Sequence, residues 1–270
     1  MPNLYQLATS AVDAYESQKV KSIFAPLAKA TVSKVHITDG DRVLDVACGT
    51  GIMARSIRGR FGPTIPISGV DLNDTMIAKA CTLTRDLPGH FDWHVSDATN
   101  IPASSSFFSH VFCQQGLQYF PDDLAALSEM RRVLSDDGTL ILTVWASANE
   151  YFLAQSAAMS KYVSVEAGEK ALAPFSYPAA RRVPELLGEL GFKTITVETL
   201  SIDRVIMDAE EHGIREDILG SPLGPMVDTM GPAVMEKVVW DILSACAGCL
   251  RNANLVVPQY STLIMASDYQ

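Results

Sequence analysis

Apolar and polar positions alternate along residues 43–145 in a way that predicts a regular succession of strands and helices. Short apolar runs with the length and composition of buried strands lie at residues 43–47, 65–71, 91–96, 110–114 and 139–145. Segments with apolar residues at helical spacing separate them, at residues 50–60, 73–85 and 122–134. This alternation predicts an α/β fold built on a doubly wound, mostly parallel sheet.

Capping and turn residues mark the ends of these helices. Asn73 precedes the second helix as a good N-cap, and Pro121 precedes the third. Residues 135–138, Ser-Asp-Asp-Gly, have turn chemistry and are expected to end the third helix.

The C-terminal half follows a different pattern. A helix is predicted at residues 178–191 and strands at 194–200 and 261–266, which brings the sheet to seven strands. Residues 146–177 and 201–258 are expected to form helical cap insertions over the carboxyl edge of the sheet, where open α/β folds bind ligands. The whole chain, residues 1–270, is interpreted as one domain with a cofactor-binding core at about residues 30–145.

Composition narrows the classes of function. The chain has 270 residues, 48% hydrophobic content and a net charge of −10, so a nucleic-acid partner is disfavoured. No apolar stretch is long enough for a membrane span, and residues 1–20 lack a signal peptide pattern. Five scattered cysteines favour reduced thiols, hence a soluble cytoplasmic protein. The Cys-x-x-Cys at residues 246–249 is interpreted as a packed helix turn, and no metal site is predicted.

The first strand leads into a glycine-rich loop, and residues 43–51 read VLDVACGTG. The spacing of Gly49, Gly51 and Ala54 fits the loop that places a ligand at a helix N-terminus, a geometry shared by NAD, FAD and adenosylmethionine sites. Asp45 distinguishes them, because a carboxylate here disfavours a diphosphate and suits an ammonium group. The alternative is that Asp45 only accepts hydrogen bonds from loop amides.

With Ala47 where many members have their first glycine, this stretch resembles motif I of class I S-adenosylmethionine-dependent methyltransferases. Further matches follow in order: Asp71 after the second strand, residues 96–113, and residues 113–122, which resemble the ubiquinone and menaquinone biosynthesis methyltransferases. The resemblance covers residues 15–145 and implies a Rossmann-like methyltransferase fold. It departs from the common pattern at Ser105, Ser109 and His110, and at residues 136–137.

The resemblance implies a set of contacts with S-adenosyl-L-methionine, whose product is S-adenosyl-L-homocysteine. Asp71 would bind the ribose hydroxyls, a use that its distance from the loop also supports. Further implied cofactor residues are Leu72, Met76, Asp97 and Ala98 at the adenine, and Tyr15, Gln114 and Tyr119 towards the methionyl end. Core packing is the alternative role for Met76 and for Tyr15.

The implied reaction is in-line transfer of the methyl group to an oxygen, nitrogen or carbon of a small, apolar or aromatic molecule. His212 is the histidine that falls in the second cap insertion and is the candidate general base, although a solvated surface position is the alternative. Cap aromatics, with Trp145 and Tyr119, would form an apolar pocket or pack the core; they are Tyr151, Phe175 and Tyr177. The alternatives are a non-methylation reaction on the same fold, an NAD-linked oxidoreductase and a binding module without turnover.

Overall fold

A computed structural model describes residues 9–268, with side chains from Val12 onward. Its described residues form one eight-stranded sheet, in the order β3-β2-β1-β4-β5-β8-β6 with the short β7 paired to β8. The strands are β1 (Val43–Val46), β2 (Ile67–Asp71), β3 (Phe91–Val95), β4 (Phe108–Gln114), β5 (Leu134–Trp145), β6 (Thr194–Ile206), β7 (Leu250–Arg251) and β8 (Asn254–Ser267). Strands β1 to β5 are parallel, and β8 runs antiparallel between β5 and β6. The predicted doubly wound, mostly parallel sheet is confirmed.

Helices cover both faces of the sheet and form the cap. The α-helices are α1 (Thr9–Ala14), α2 (Ala25–Val32), α3 (Ile52–Phe61), α4 (Asp74–Thr84), α5 (Asp123–Val133), α6 (Glu150–Tyr162), α7 (Val165–Leu172), α8 (Ala179–Glu189), α9 (Ile214–Leu219), α10 (Gly224–Asp228) and α11 (Pro232–Ala245). A π-helix, Tyr15–Phe24, joins α1 to α2, and Asn73 caps α4 through its side chain as predicted. Within residues 9–268, no helix is both long and apolar enough to cross a bilayer.

The central strand shows why the apolar runs form this sheet. All four residues of β1 are buried, with β2 on one side and β4 on the other. Leu44 and Val46 join the core cluster that packs against α5 and α8, whereas Val43 joins the cluster under α2 and α3. A strand buried on both faces needs an almost continuous apolar sequence, which is the pattern seen.

The turn predicted at residues 135–138 is wrong, because β5 begins at Leu134, immediately after α5 ends. Phe108 pairs with Leu134 and His110 with Thr139, so the polar residues form an irregularity in the β4–β5 ladder. A Cβ on Gly138 would lie 2.6 Å from the Leu134 side chain. The glycine therefore allows the buried Leu134 to pack where a turn was expected.

Strands β6 and β8 are longer than the sequence pattern indicates. They stay paired from Ser201↔Tyr260 to Ile206↔Leu255, beyond Trp145↔Ser261, the last pair between β5 and β8. This two-stranded ribbon projects past the carboxyl edge of the sheet. The helical segment predicted at residues 201–258 is therefore shorter at both ends, since its helices lie between Ala209 and Cys249.

The helices that follow the ribbon have a core of their own. α6, α7, α9 and α11 bury their apolar side chains around the end of the ribbon. The fully buried members of this cluster include Tyr151, Met159, Ile214, Val238 and Leu255. The cap is thus a packed helical layer whose position is set by the ribbon.

The indole of Trp93 on β3 lies against the glycine loop and the neighbouring strand. Gly69 pairs directly with Trp93, and a Cβ on Gly69 would overlap the indole. A Cβ on Gly51 would also lie 2.7 Å from the indole, whose nitrogen donates to Thr84 at 3.1 Å. The Trp93 ring therefore packs against both the glycine loop and strand β2.

We expect Gly69→Ala to lower the free energy of unfolding by about 1–3 kcal/mol, because the added methyl group overpacks the Trp93 ring. Gly188→Ala is the control, since a Cβ there meets no atom within 4 Å and alanine favours helix α8. Urea unfolding followed by circular dichroism measures both. Equal stability of the two variants would contradict this account of the ring.

Candidate cofactor site

The loop after β1 takes left-handed backbone conformations at three alternate positions. The φ angles are 55° at Ala47, 54° at Gly49 and 80° at Gly51. Alanine is strained in this region, whereas glycine is not. Gly116 makes room for the Ala47 methyl group, because a Cβ on Gly116 would lie 2.7 Å from it. The loop therefore keeps its shape although alanine replaces the first glycine.

Asp71 holds this loop from the end of β2. Its Oδ2 accepts from the backbone nitrogen of Gly49 at 2.8 Å, and its Oδ1 accepts from that of Asn73 at 2.9 Å. Burial raises the pKa of Asp71, and the two hydrogen bonds oppose that rise. Each carboxylate oxygen keeps a lone pair, so Asp71 can still accept from ligand hydroxyl groups.

Asp45 is a buried carboxylate directly beneath the loop, with only 1% of its surface exposed. Its Oδ2 has no hydrogen-bond partner among residues 9–268. Burial and then the nearby charge of Asp71 raise the pKa of Asp45 well above its ordinary value, against a hydrogen bond from the Ala54 backbone. A cationic ligand group beside Asp45 would supply the missing partner and stabilise the carboxylate.

The π-helix lies across the open side of the loop. The Tyr15 hydroxyl lies 3.6 Å from where a Gly49 Cβ would be, and its ring centroid is 5.4 Å from that of Phe24. Gln114, at the end of β4, donates to the Phe24 carbonyl at 3.2 Å, while its own side-chain oxygen has no partner in the described chain. These residues and Asp45 line a cavity of about 20 Å³, room for roughly one water.

Glu16 fastens the π-helix to the loop and to α3. Its carboxylate accepts from the Thr50 hydroxyl and pairs with Arg55 at 2.7 Å. Sequence analysis did not single out Glu16, since an acid on an amphipathic helix is usually exposed. Its position in the segment that resembles the methyltransferase lead-in was the available signal.

The residues expected around adenine follow β2 and β3 at the same edge of the sheet. Asp97 is exposed, and its Oδ1 accepts from the Thr99 backbone and hydroxyl, both at 2.8 Å. Leu72 is 44% exposed, whereas Met76 is buried in α4. Ala98 follows Asp97 and packs against the core. Their contacts with a ligand stay predictions.

Tyr119 lies in the 3-10 helix Leu117–Tyr119 after β4, and it is half-buried. Burial, followed by the charges of Asp71 and Glu16, raises the pKa of Tyr15, and Tyr119 adds to that rise. Tyr15 and Tyr119 therefore interact electrostatically, and their contacts with a cofactor stay predictions.

His212 lies on the surface of the cap, in the π-helix Ala209–Gly213. Its side chain is 65% exposed and pairs with Asp208 at 2.9 Å, with Glu211 at 3.9 Å. The hydrogen bond and charge of Asp208 raise the pKa of His212. Both partners of His212 lie in the cap and not in the glycine loop. Its role as general base stays a prediction, which this exposed position does not favour.

Aromatic side chains form a row that leads from the π-helix into the cap. Trp145 lies 6.2 Å from Phe24 and 6.1 Å from Phe175, and Phe175 lies 4.7 Å from Phe152, between ring centroids. Tyr177, expected in the same pocket, instead donates to Asp123 at 2.7 Å and packs against the core cluster on α5 and α8.

A buried ionic network at the end of this row was not predicted. Asp217 on α9 accepts from Lys19 at 2.5 Å and Arg204 at 2.7 Å through Oδ1, and from the Tyr151 hydroxyl at 2.7 Å through Oδ2. Arg204 lies 4.7 Å from the ring centroids of both Tyr151 and Phe152. The network links the π-helix to the ribbon and the cap.

Comparison with known proteins agrees with this geometry. Residues 43–138 match the family described as methyltransferase domain. A demethylmenaquinone methyltransferase of Staphylococcus saprophyticus is 32% identical over 113 residues, 42% of this chain and 48% of that protein. A ubiquinone/menaquinone biosynthesis C-methyltransferase of Bordetella avium is 33% identical over 112 residues, 42% of this chain and 44% of that protein. The chain spans about half the length of these curated relatives.

A solved structure shows the same fold over nearly the whole chain. Phosphoethanolamine N-methyltransferase 2 of Haemonchus contortus, in complex with S-adenosyl-L-methionine, has a TM-score of 0.64 and 18% identity, and the match covers 98% of this chain and 58% of that chain. Fold, family match and motifs confirm the resemblance to class I S-adenosylmethionine-dependent methyltransferases. The two curated relatives described above are of the ubiquinone and menaquinone type.

The raised pKa of Asp45 predicts that the free energy of unfolding of the ligand-free protein depends on pH. An unfolded aspartate ionises near pH 3.9, whereas folded Asp45 retains its proton above that pH. The unfolded state therefore binds fewer protons in this range, and the free energy of unfolding falls as pH rises from about 3.9 towards the folded-state pKa. Asp45→Asn removes this dependence, so we expect it to unfold at a higher temperature than wild type at pH 7.

Thermal melts from pH 4 to pH 8 test this expectation, and the advantage of Asp45→Asn should shrink towards pH 4. Asp137→Asn is the matched control, because Asp137 is exposed. An Asp45→Asn variant that is less stable than wild type at pH 7 would contradict the claim that the buried Asp45 carboxylate destabilises the ligand-free protein.

Proposed function

We propose that this chain transfers a methyl group from S-adenosyl-L-methionine to a nucleophilic oxygen, nitrogen or carbon of a small molecule. The observation that carries the proposal is Asp45, a buried carboxylate with an unpartnered oxygen beneath a glycine loop. The methionyl ammonium is a cation of the right kind, and its carboxylate suits the adjacent helix N-terminus. A diphosphate would supply only negative charge to this place.

The remaining cofactor contacts are assigned from where the side chains lie around the loop and the strand ends. In the proposal, Asp71 accepts from the ribose hydroxyl groups, and Asp97, Ala98, Leu72 and Met76 surround the adenine. The methionyl end lies near Gln114, Tyr15 and Tyr119. When bound, the cofactor supplies a methyl carbon activated by its sulfonium.

The protein's own contribution is to align the reactants and exclude water. Burial raises the pKa of the Cys48 thiol, and burial likewise raises that of Cys113 to about 12, so neither supplies a thiolate near neutral pH. Burial raises the pKa of Tyr15 in the same way. None of these three side chains therefore acts as the base that activates the acceptor.

A small-molecule acceptor is favoured by the surroundings of the loop. Phe24 and Phe175 are only partly buried and offer apolar ring surface beside the cofactor site, with the buried Trp145 between them. The net charge of −10 gives no broad positive surface for nucleic acid. The names of the curated relatives, which refer to quinones, agree with an aromatic acceptor. The proposal also retains the predicted cytoplasmic location.

Thermal shift with S-adenosyl-L-homocysteine and with NAD tests the choice of cofactor. We expect stabilisation by S-adenosyl-L-homocysteine and none by NAD, because a ligand that binds the folded state raises the unfolding temperature. Stabilisation by NAD alone would rule out the proposal.

Turnover is then measured with S-adenosyl-L-methionine and a panel of phenols, amines and quinone precursors, by mass spectrometry. A methylated product together with S-adenosyl-L-homocysteine is the expected result. Conversion of a substrate without either would instead indicate a non-methylation reaction on this fold, and binding without any conversion would indicate a binding module.

A further inference from the structure

Unpaired hydrogen-bond donors lie inside the cap, outside the cofactor site. Arg204 on β6 is completely buried, and its Nε and Nη1 have no hydrogen-bond partner among residues 9–268. Gln259 on β8 is also completely buried, and its Nε2 has no partner in the same part of the chain. Buried donors without acceptors destabilise a protein, so their presence in one place indicates a ligand that accepts from them.

The strand register places these donors on one face of the ribbon. Ile202 pairs with Gln259 and Arg204 with Val257, and alternate residues of a strand share a face. Arg204 and Gln259 are therefore diagonal neighbours, within reach of one small group for side chains of this length.

The orientation of the Gln259 amide is fixed by its neighbour. The Asn149 side-chain oxygen accepts from the Phe152 backbone at 3.1 Å, where it caps α6. The Asn149 nitrogen must then donate to the Gln259 oxygen, at 3.1 Å. The Gln259 nitrogen is left facing away from Asn149 as a donor.

The charges around Arg204 favour an anion. Lys19 and Arg204 both pair with Asp217, so two cations share one buried carboxylate. Burial lowers the pKa of Lys19, against the attraction of Asp217. Arg204 also lies 4.7 Å from the ring centroids of Tyr151 and Phe152, while its Nε and Nη1 have no hydrogen-bond partner among residues 9–268. A carboxylate matches the unfilled donors in both charge and geometry.

The aromatic row connects this place to the cofactor site. Phe24, Phe175 and Phe152 are only partly buried, in contrast to the fully buried Arg204 at the end of the row. Lys19, which pairs with Asp217 of the Arg204 network, lies one helical turn beyond Tyr15, whose hydroxyl lies beside the glycine loop. A row of aromatic rings suits a flat aromatic molecule that reaches from the network towards the cofactor site.

We propose that Arg204 and Gln259 bind the carboxylate of the methyl acceptor, a flat aromatic acid whose rings lie along Phe152 and Phe175. Arg204 and Gln259 select the substrate, and Asp217 and Lys19 position the guanidinium. The inference rests on the proposed methyl transfer, since it places the reacting atom of the acid at the cofactor site.

The test compares two probes that share one ring system, 6-hydroxy-2-naphthoate and its neutral methyl ester. Isothermal titration measures the binding of each to the full chain, with and without saturating S-adenosyl-L-homocysteine. We expect wild type to bind the acid at least tenfold more tightly than the ester, because charge-assisted hydrogen bonds form only with the acid.

Arg204→Gln should abolish this preference while it still binds S-adenosyl-L-homocysteine, which shows that the variant is folded. Arg181→Gln is the matched control, because Arg181 is 84% exposed on α8, and it should keep the preference. Gln259→Leu is the second variant, for use if Arg204→Gln does not fold, and should weaken binding of the acid several-fold.

Equal binding of acid and ester by wild type, or binding of neither, would overturn the inference. So would a preference that survives Arg204→Gln or, where that variant does not fold, Gln259→Leu. Normal binding of S-adenosyl-L-homocysteine in those cases would leave the proposed function intact. Failure to bind S-adenosyl-L-homocysteine would contradict the proposed function itself, and the acid preference is still measured on the ligand-free chain.

Discussion

A carboxylate buried at the end of the central strand is the constraint on which the site depends. Asp45 pairs through its backbone with Gly69 on β2 and Phe112 on β4, so the sheet fixes its position on both sides. The glycine loop closes directly above it, and Asp71 holds that loop from the next strand. Burying a carboxylate this way costs stability in the ligand-free protein, which a ligand cation would recover.

The N-terminal π-helix connects the cofactor site to the buried ionic network in the cap. Glu16 ties it to Thr50 and Arg55 beside the loop, and one turn further Lys19 ties it to Asp217 in the cap. Movement of this helix would therefore affect the cofactor site and the Arg204 network together.

The sequence predicted the core well because its signals are local. Buried strands, the Asn73 cap and the motif spacing all depend on residues close together in the chain. The ribbon was missed because Asp203 and Arg204 interrupt the apolar pattern of β6, although Arg204 alternates correctly with buried Ile202 and Ile206. Its partner Asp217 lies on another element, and Lys19 lies 198 residues from Asp217. The pattern of apolar and polar residues along the chain does not indicate ion pairs between elements that lie far apart in the sequence.

The central claim is that Asp45 recognises the ammonium group of the cofactor. Isothermal titration with S-adenosyl-L-homocysteine and with 5′-methylthioadenosine, which lacks the amino-acid portion, tests it directly. We expect wild type to bind the first ligand much more tightly, and Asp45→Asn to lose most of that difference while binding 5′-methylthioadenosine as wild type does. An Asp45→Asn variant that weakens both ligands equally, or neither, would contradict the claim.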